Sequence, residues 1–179
     1  MNGWERMQNR LEYFNKKLQS TELYSSKPEK MDFGEWRNLV TIGYVAMVGD
    51  LFHGGHTNIL RYAKVYSQIV VAGVLTDEAV ISYKRKPIIN FEMRCQLISQ
   101  IKFVDIVIPQ YSLSYADNLR LVRPKYVFHG KDWRHSIQKD NREEVIRVLQ
   151  EFGGNLIEPN CYEGISTSQI IDGIQSRKK

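Results

Sequence analysis

The chain has 179 residues, 42% hydrophobic and 11% aromatic, with two cysteines and a formal net charge of +5 at pH 7. That length suits one α/β domain with a full core and is small for two. No apolar run approaches the roughly 18 residues of a membrane span, the opening Met1-Asn2-Gly3-Trp4-Glu5-Arg6 has no apolar signal segment, and Cys95 and Cys161 are too few to frame disulfides.

The expected setting is therefore a reducing cytoplasm, with both thiols unpaired in the core. Apolar residues at Trp4, Met7, Leu11, Phe14 and Leu18 alternate spacings of three and four, the stripe of an amphipathic helix that docks on its own domain or forms a short seam with another helix. Between Ser20 and Phe33 the chain turns polar, broken at Ser25-Ser26-Lys27-Pro28, so residues 1–36 read as a helical appendage with its linker and residues 37–179 as the main domain.

The domain opens with a strand from Leu39 to Val48 that runs into Gly49-Asp50-Leu51-Phe52-His53-Gly54-Gly55-His56. A helix with Ile59, Leu60, Tyr62 and Ala63 on one face begins near Thr57. Ile69 to Leu75 is a continuous apolar run of strand length, and its neighbours make Leu39 to Leu75 a βαβ unit with parallel strands. Thr76 caps a short helix reaching Tyr83. Lys84-Arg85-Lys86 precedes Pro87, where a turn is expected. Asn90-Phe91-Glu92 opens a helix with Met93, Leu97, Ile98 and Ile101 inward. Then come a strand at Asp105–Pro109, a helix closing at Leu119–Val122, a strand at Tyr126–Phe128, a helix from Asn141 to Phe152 stopped by Gly153-Gly154, a short strand at Leu156-Ile157, and a last helix carrying Ile170, Ile171 and Ile174. No repeat or low-complexity segment interrupts this order.

Strand, glycine-rich turn and helix in that sequence make an anion site, because the first turn of a helix offers unpaired N–H groups and the positive end of its dipole. His53 and His56, three residues apart, can both address one phosphate. The tripeptide Lys84-Arg85-Lys86 is compact and lies on no basic helix face, so it suits a triphosphate better than a duplex. A second junction, His129-Gly130-Lys131-Asp132-Trp133, again sets glycine and polar groups at a strand end, where ligands of open α/β sheets bind. Taken alone, Ser166 and Thr167 are an ordinary helix cap, and His129 and His135 read as structural or solvated.

Three motifs in order, His53-Gly54-Gly55-His56, Lys84-Arg85-Lys86 and Gly164-Ile165-Ser166-Thr167, resemble those of the cytidylyltransferase family of the nucleotidyltransferase superfamily, over about Val40 to Ile174. The resemblance implies a Rossmann-like open parallel sheet with helices on both faces, a homodimer, and transfer of a nucleotidyl group from a triphosphate to a phosphorylated acceptor with release of pyrophosphate. Met47-Val48-Gly49-Asp50 stands where glycerol-phosphate and choline-phosphate members have Gly-x-Phe-Asp. Lys131-Asp132-Trp133 replaces a common Gly-Asp-Asp-Trp. Cys161-Tyr162 replaces an Arg-Thr pair, so either another cation meets the triphosphate or the acceptor differs. These departures, together with Gly73 to Pro87 and His129 to Glu158-Pro159, are similar to a branch linked to phosphoenolpyruvate mutase in phosphonate pathways.

By that resemblance the acceptor would be 2-hydroxyethylphosphonate or 2-aminoethylphosphonate, and a phosphoenolpyruvate mutase would be a partner or fused domain, with the first helix as a docking piece. His53, His56 and Lys84 would be catalytic, and Lys84 and Arg85 would meet the acceptor. Val48, Gly49, Asp50, Gly55, Lys86, Gly130, Asp132, Gly164, Ile165, Ser166 and Thr167 would bind CTP. Mg²⁺ would arrive with the triphosphate, without protein ligands of its own. No nucleic acid and no membrane is expected. The alternatives are a phosphate-monoester acceptor such as glycerol 3-phosphate or phosphoethanolamine, an adenylyltransferase, or a non-catalytic nucleotide-binding module.

Overall fold

The computed structural model describes residues 33–131, 133, 139–160 and 164–177. The amphipathic segment Trp4–Leu18, Asp132, His135, Cys161, Tyr162 and Glu163 lie outside them. In chain order the elements are α1 (Phe33–Trp36), β1 (Ile42–Met47), α2 (Gly54–Tyr66), β2 (Ile69–Leu75), α3 (Asp77–Ile81), α4 (Phe91–Ser99), β3 (Ile106–Gln110), α5 (Ala116–Val122), β4 (Tyr126–Phe128), α6 (Lys139–Gln150), β5 (Asn155–Ile157) and α7 (Thr167–Ser176).

Five strands pair in the order β3-β2-β1-β4-β5, and every pair is parallel. β1 and β2 are buried along their whole length, which is why they read as unbroken apolar runs rather than alternating ones. Successive side chains still point to opposite faces. Ile42, Tyr44 and Ala46 join a core with Phe33, Trp36, Val80, Leu119 and Val145. Val45 and Met47 join a second core with Leu60, Ala63, Cys95 and Ile98 on the other face. This is the Rossmann-like α/β fold expected. No helix among the described residues is long and apolar enough to cross a membrane.

Three details differ from the sequence reading. Phe33 and Trp36, placed in the linker, are each 2% exposed and pack into the first core, so the domain's packing takes in that segment. The helix after β1 begins at Gly54, not near Thr57, because His53 caps it. In α4, Met93 and Leu97 are exposed while Arg94 and Cys95 are buried with Ile98. The helix is therefore rotated from the apolar stripe Met93, Leu97, Ile98 and Ile101, and its buried arginine is satisfied by the end of the sheet, as described below. Cys95 is a free buried thiol, as anticipated.

Candidate active site

The order β3-β2-β1-β4 reverses direction at β1, and the crevice above the carboxyl ends of β1 and β4 is where an open sheet takes its ligand. A cavity of about 640 Å³ opens there. The turn entering it is shaped by two left-handed residues, Gly49 (φ 69°) and Leu51 (φ 46°). A Cβ at Gly49 would come within 2.5 Å of Ile98 Cδ1, so this glycine serves the turn and its packing. It does not line the cavity, whereas Val48 and Asp50 do.

His53 and His56 form a reciprocal cap on α2. Gly55 N–H donates to His53 Nδ1 at 3.1 Å, and His53 N–H donates to His56 Nδ1 at 3.3 Å. An imidazole nitrogen that accepts an N–H carries no proton, so each neutral ring holds its proton on Nε2. Both half-buried rings line the cavity with centroids 4.2 Å apart, and Phe52 stacks on His56. Burial lowers both pKa values; that of His56 falls to about 4, with the charges of His53 and Lys84 adding to the effect. Near neutral pH the pair is thus two uncharged N–H donors at the positive end of α2. Gly55 permits this, since a Cβ there would lie 2.8 Å from His53 Cε1.

Lys84 and Arg85 enter the cavity wall from the loop after α3. Loss of solvent around the Lys84 ammonium lowers its pKa, reinforced by Arg85 and Arg94 and opposed by Asp50. Asp50 anchors this loop. Its buried carboxylate accepts Ile88 N–H at 3.1 Å, Ile89 N–H at 3.0 Å and Arg85 Nη1 at 3.1 Å. Burial alone would raise its pKa, but those bonds outweigh it and hold the carboxyl below its ordinary value. The Asp50 carboxylate, expected among the nucleotide ligands, is therefore committed to the loop, as is the Arg85 guanidinium expected at the acceptor. Arg85 also donates to Lys86 O, and Lys86 itself is exposed and does not line the cavity.

Arg94 was missed by sequence reasoning. Fully buried, it donates to Val48 O, Leu75 O and Ile89 O and pairs with Asp77. One side chain thus ties the ends of β1 and β2 to the loop that carries Lys84. No apolar pattern signals such a residue, because Val48, Leu75 and Asp77 lie 17–46 residues away in sequence.

Across the cavity, Ser166 caps α7 by accepting Gln169 N–H at 3.2 Å, which leaves its hydroxyl proton available. Thr167 Oγ1 donates to Asp50 O at 3.1 Å, tying α7 to the end of β1. Gly55, Ile165, Ser166 and Thr167 line the cavity and Gly164 does not. Gly130 also lines it, and so does His129, whose ring lies flat on Trp133 at 3.8 Å. Trp133 in turn donates to Glu158, which pairs with Arg142.

A parallel sheet whose switch point presents two helix N-termini, two neutral imidazole donors and a lysine defines an α/β protein of the nucleotidyltransferase-type fold. Among solved structures, the lipopolysaccharide core biosynthesis protein from Thermoplasma volcanium shares that fold with TM-score 0.58 at 21% identity, over 69% of this chain and 97% of that one. The chain belongs to the cytidylyltransferase-like family, whose model matches residues 49–173. It is 30% identical to the ethanolamine-phosphate cytidylyltransferase of Dictyostelium discoideum over 72% of this chain and 35% of that protein. It is 26% identical to the bifunctional protein HldE of Granulibacter bethesdensis over 79% and 29%. The chain spans about a third of the length of these curated relatives.

Proposed function

We propose that the chain transfers CMP from CTP to a small phosphorylated acceptor, releasing pyrophosphate. The carrying observation is the histidine cap: two Nε2–H donors held at a helix N-terminus, facing a cavity that Lys84 and Ser166 also line. An oxyanion of the acceptor attacks the α-phosphorus in line, so the site needs alignment and charge stabilisation rather than a strong base. His53 and His56 donate to the α-phosphate and the bridging oxygen as charge develops, Lys84 holds acceptor and α-phosphate together, and the N-terminus of α7 with Ser166 takes the triphosphate. Mg²⁺ would arrive with the triphosphate and offset its charge. Among the described residues Asp50 is the cavity's carboxylate and is already committed to Arg85, Ile88 and Ile89, so the chain would offer the ion no free carboxylate there.

Relatives named for ethanolamine phosphate support a phosphate monoester over the phosphonate acceptor expected from sequence. The test is pyrophosphate release with CTP or ATP and a panel of acceptors, for the wild type and His56→Ala. Release with CTP, lowered about 10²–10³-fold in kcat by the substitution while circular dichroism stays native, is expected. Full activity in His56→Ala, or equal use of ATP, would overturn the reading.

A further inference from the structure

The lining of the cavity comes from both faces of the sheet, and the part on each face is a chamber of the one cavity. On the α2 face lie the histidines, Met47 and Phe128; on the other face lie Leu75, Val80, Leu113, Tyr115 and Gln110. Lys84 reaches the cavity from the loop next to this second chamber, whose lining includes its neighbour Tyr83. A polar group built into the second chamber, with the phenols of Tyr83 and Tyr115, is Gln110, 2% exposed at the end of β3.

The orientation of its amide follows from its partners. Asn118 Nδ2 donates to Pro109 O at 3.0 Å and to Tyr44 Oη at 2.8 Å. The Tyr44 hydroxyl must then give its proton to Gln110 Oε1, 2.7 Å away, and burial raises the Tyr44 pKa, keeping that proton in place. Gln110 Nε2 donates to Ser112 O at 3.2 Å. Gly73 leaves room for this chain of bonds, since a Cβ there would come within 1.9 Å of Tyr44 Oη. Of the amide's two lone pairs and two N–H groups, one of each remains.

We infer that this second chamber receives the acceptor, and that Gln110 selects one whose end remote from phosphorus carries a hydroxyl rather than an ammonium. A hydroxyl both donates and accepts, matching the one acceptor and one donor that Gln110 has left; an ammonium only donates and leaves the amide N–H without a partner. The charges point the same way. Lys84 and Arg85 line the cavity, Asp50 is neutralised by the loop it holds, and the Lys84 ammonium lies 5.2 Å from the Tyr83 ring centroid, on the aromatic face that an acceptor cation would need. The acceptor class is therefore a phosphate or phosphonate oxyanion on a short hydroxylated carbon chain. This selection sets the chain apart from relatives named for ethanolamine phosphate, and it rests on the cytidylyl transfer proposed above.

The experiment compares kcat/KM within two matched pairs, glycerol 3-phosphate against phosphoethanolamine and 2-hydroxyethylphosphonate against 2-aminoethylphosphonate, at saturating CTP, for the wild type and Gln110→Met. The wild type is expected to favour the hydroxyl member of each pair by about tenfold or more. Gln110→Met should bring each ratio near unity while the KM for CTP stays unchanged, and which pair turns over faster separates phosphate from phosphonate. Ammonium preference in the wild type, or a preserved ratio in Gln110→Met, overturns the selection while leaving cytidylyl transfer standing. Should Gln110→Met fail to fold by circular dichroism, the wild-type ratios decide alone. Absence of pyrophosphate release with every acceptor removes cytidylyl transfer itself, and the inference with it.

Discussion

Replacing Asp50 by asparagine tests whether its carboxylate holds the Lys84 loop. The carboxylate accepts two backbone N–H groups and Arg85 at 3.0–3.1 Å. The amide keeps one acceptor oxygen for Ile88 and Ile89 but turns an N–H toward the guanidinium. The Arg85 pair is partly exposed, so its loss costs at most about 1 kcal/mol. Changing two charge-assisted bonds to neutral ones costs about 1 kcal/mol each. The sum, about 2–3 kcal/mol, should lower the melting temperature by roughly 4–12 °C in a chain of this size. The assay is urea unfolding of both proteins across pH. The Asp50 pKa lies below its ordinary 3.8, so its contribution is fully present above that value and lost as pH falls through the folded-state pKa. The gap between wild type and variant should therefore be constant from about pH 8 to 5 and narrow at the acid end. A variant within about 0.5 kcal/mol of wild type, or a gap that persists undiminished at the lowest pH, would refute the anchoring role.

Arg94→Met removes the partner of three carbonyls and Asp77 while keeping the side-chain length. It should cost about 3–5 kcal/mol in urea unfolding, and a loss below about 1 kcal/mol would show that the sheet ends do not depend on it. The pKa of His56, lowered from 6.5 to about 4, makes the unfolded chain bind the extra proton between those values, so stability falls as pH drops through that window, by up to about 3 kcal/mol. Unfolding midpoints of wild type against His56→Gln measure this. The variant should lack that slope, and parallel curves would contradict the burial of a neutral ring at position 56.

The skeleton was legible because strands buried on both faces have one signature, an apolar run such as Ile69–Leu75, and because glycine, histidine and hydroxyl residues cluster where strands hand over to helices. What escaped has a common cause. The start of α2 was misplaced because an imidazole stands outside the usual capping residues, so the glycines before Thr57 looked like loop. The face of α4 was misread because periodicity assumes that charge points outward, while Arg94 is compensated by carbonyls 19 and 46 residues away in sequence. The commitment of Asp50 to the Lys84 loop was hidden for the same reason, its partners lying 35–39 residues downstream. Gln110 carried no signal at all. It closes an apolar strand, and its meaning comes from Tyr44 and Asn118, which only the folded sheet brings beside it.

The histidine cap of α2 has a consequence for how this chain tolerates genetic change. The nitrogens facing the backbone and those facing the cavity belong to the same two rings, so a lesion at either position registers twice, in how much protein accumulates and in what that protein can do. In a library scored for both traits, asparagine at 53 and glutamine at 56 should restore abundance, since each offers a cap oxygen. They should not restore turnover. Drift from catalyst to silent binder thus has a short route open to it, and its traces would be sought at these two positions before anywhere else in the chain.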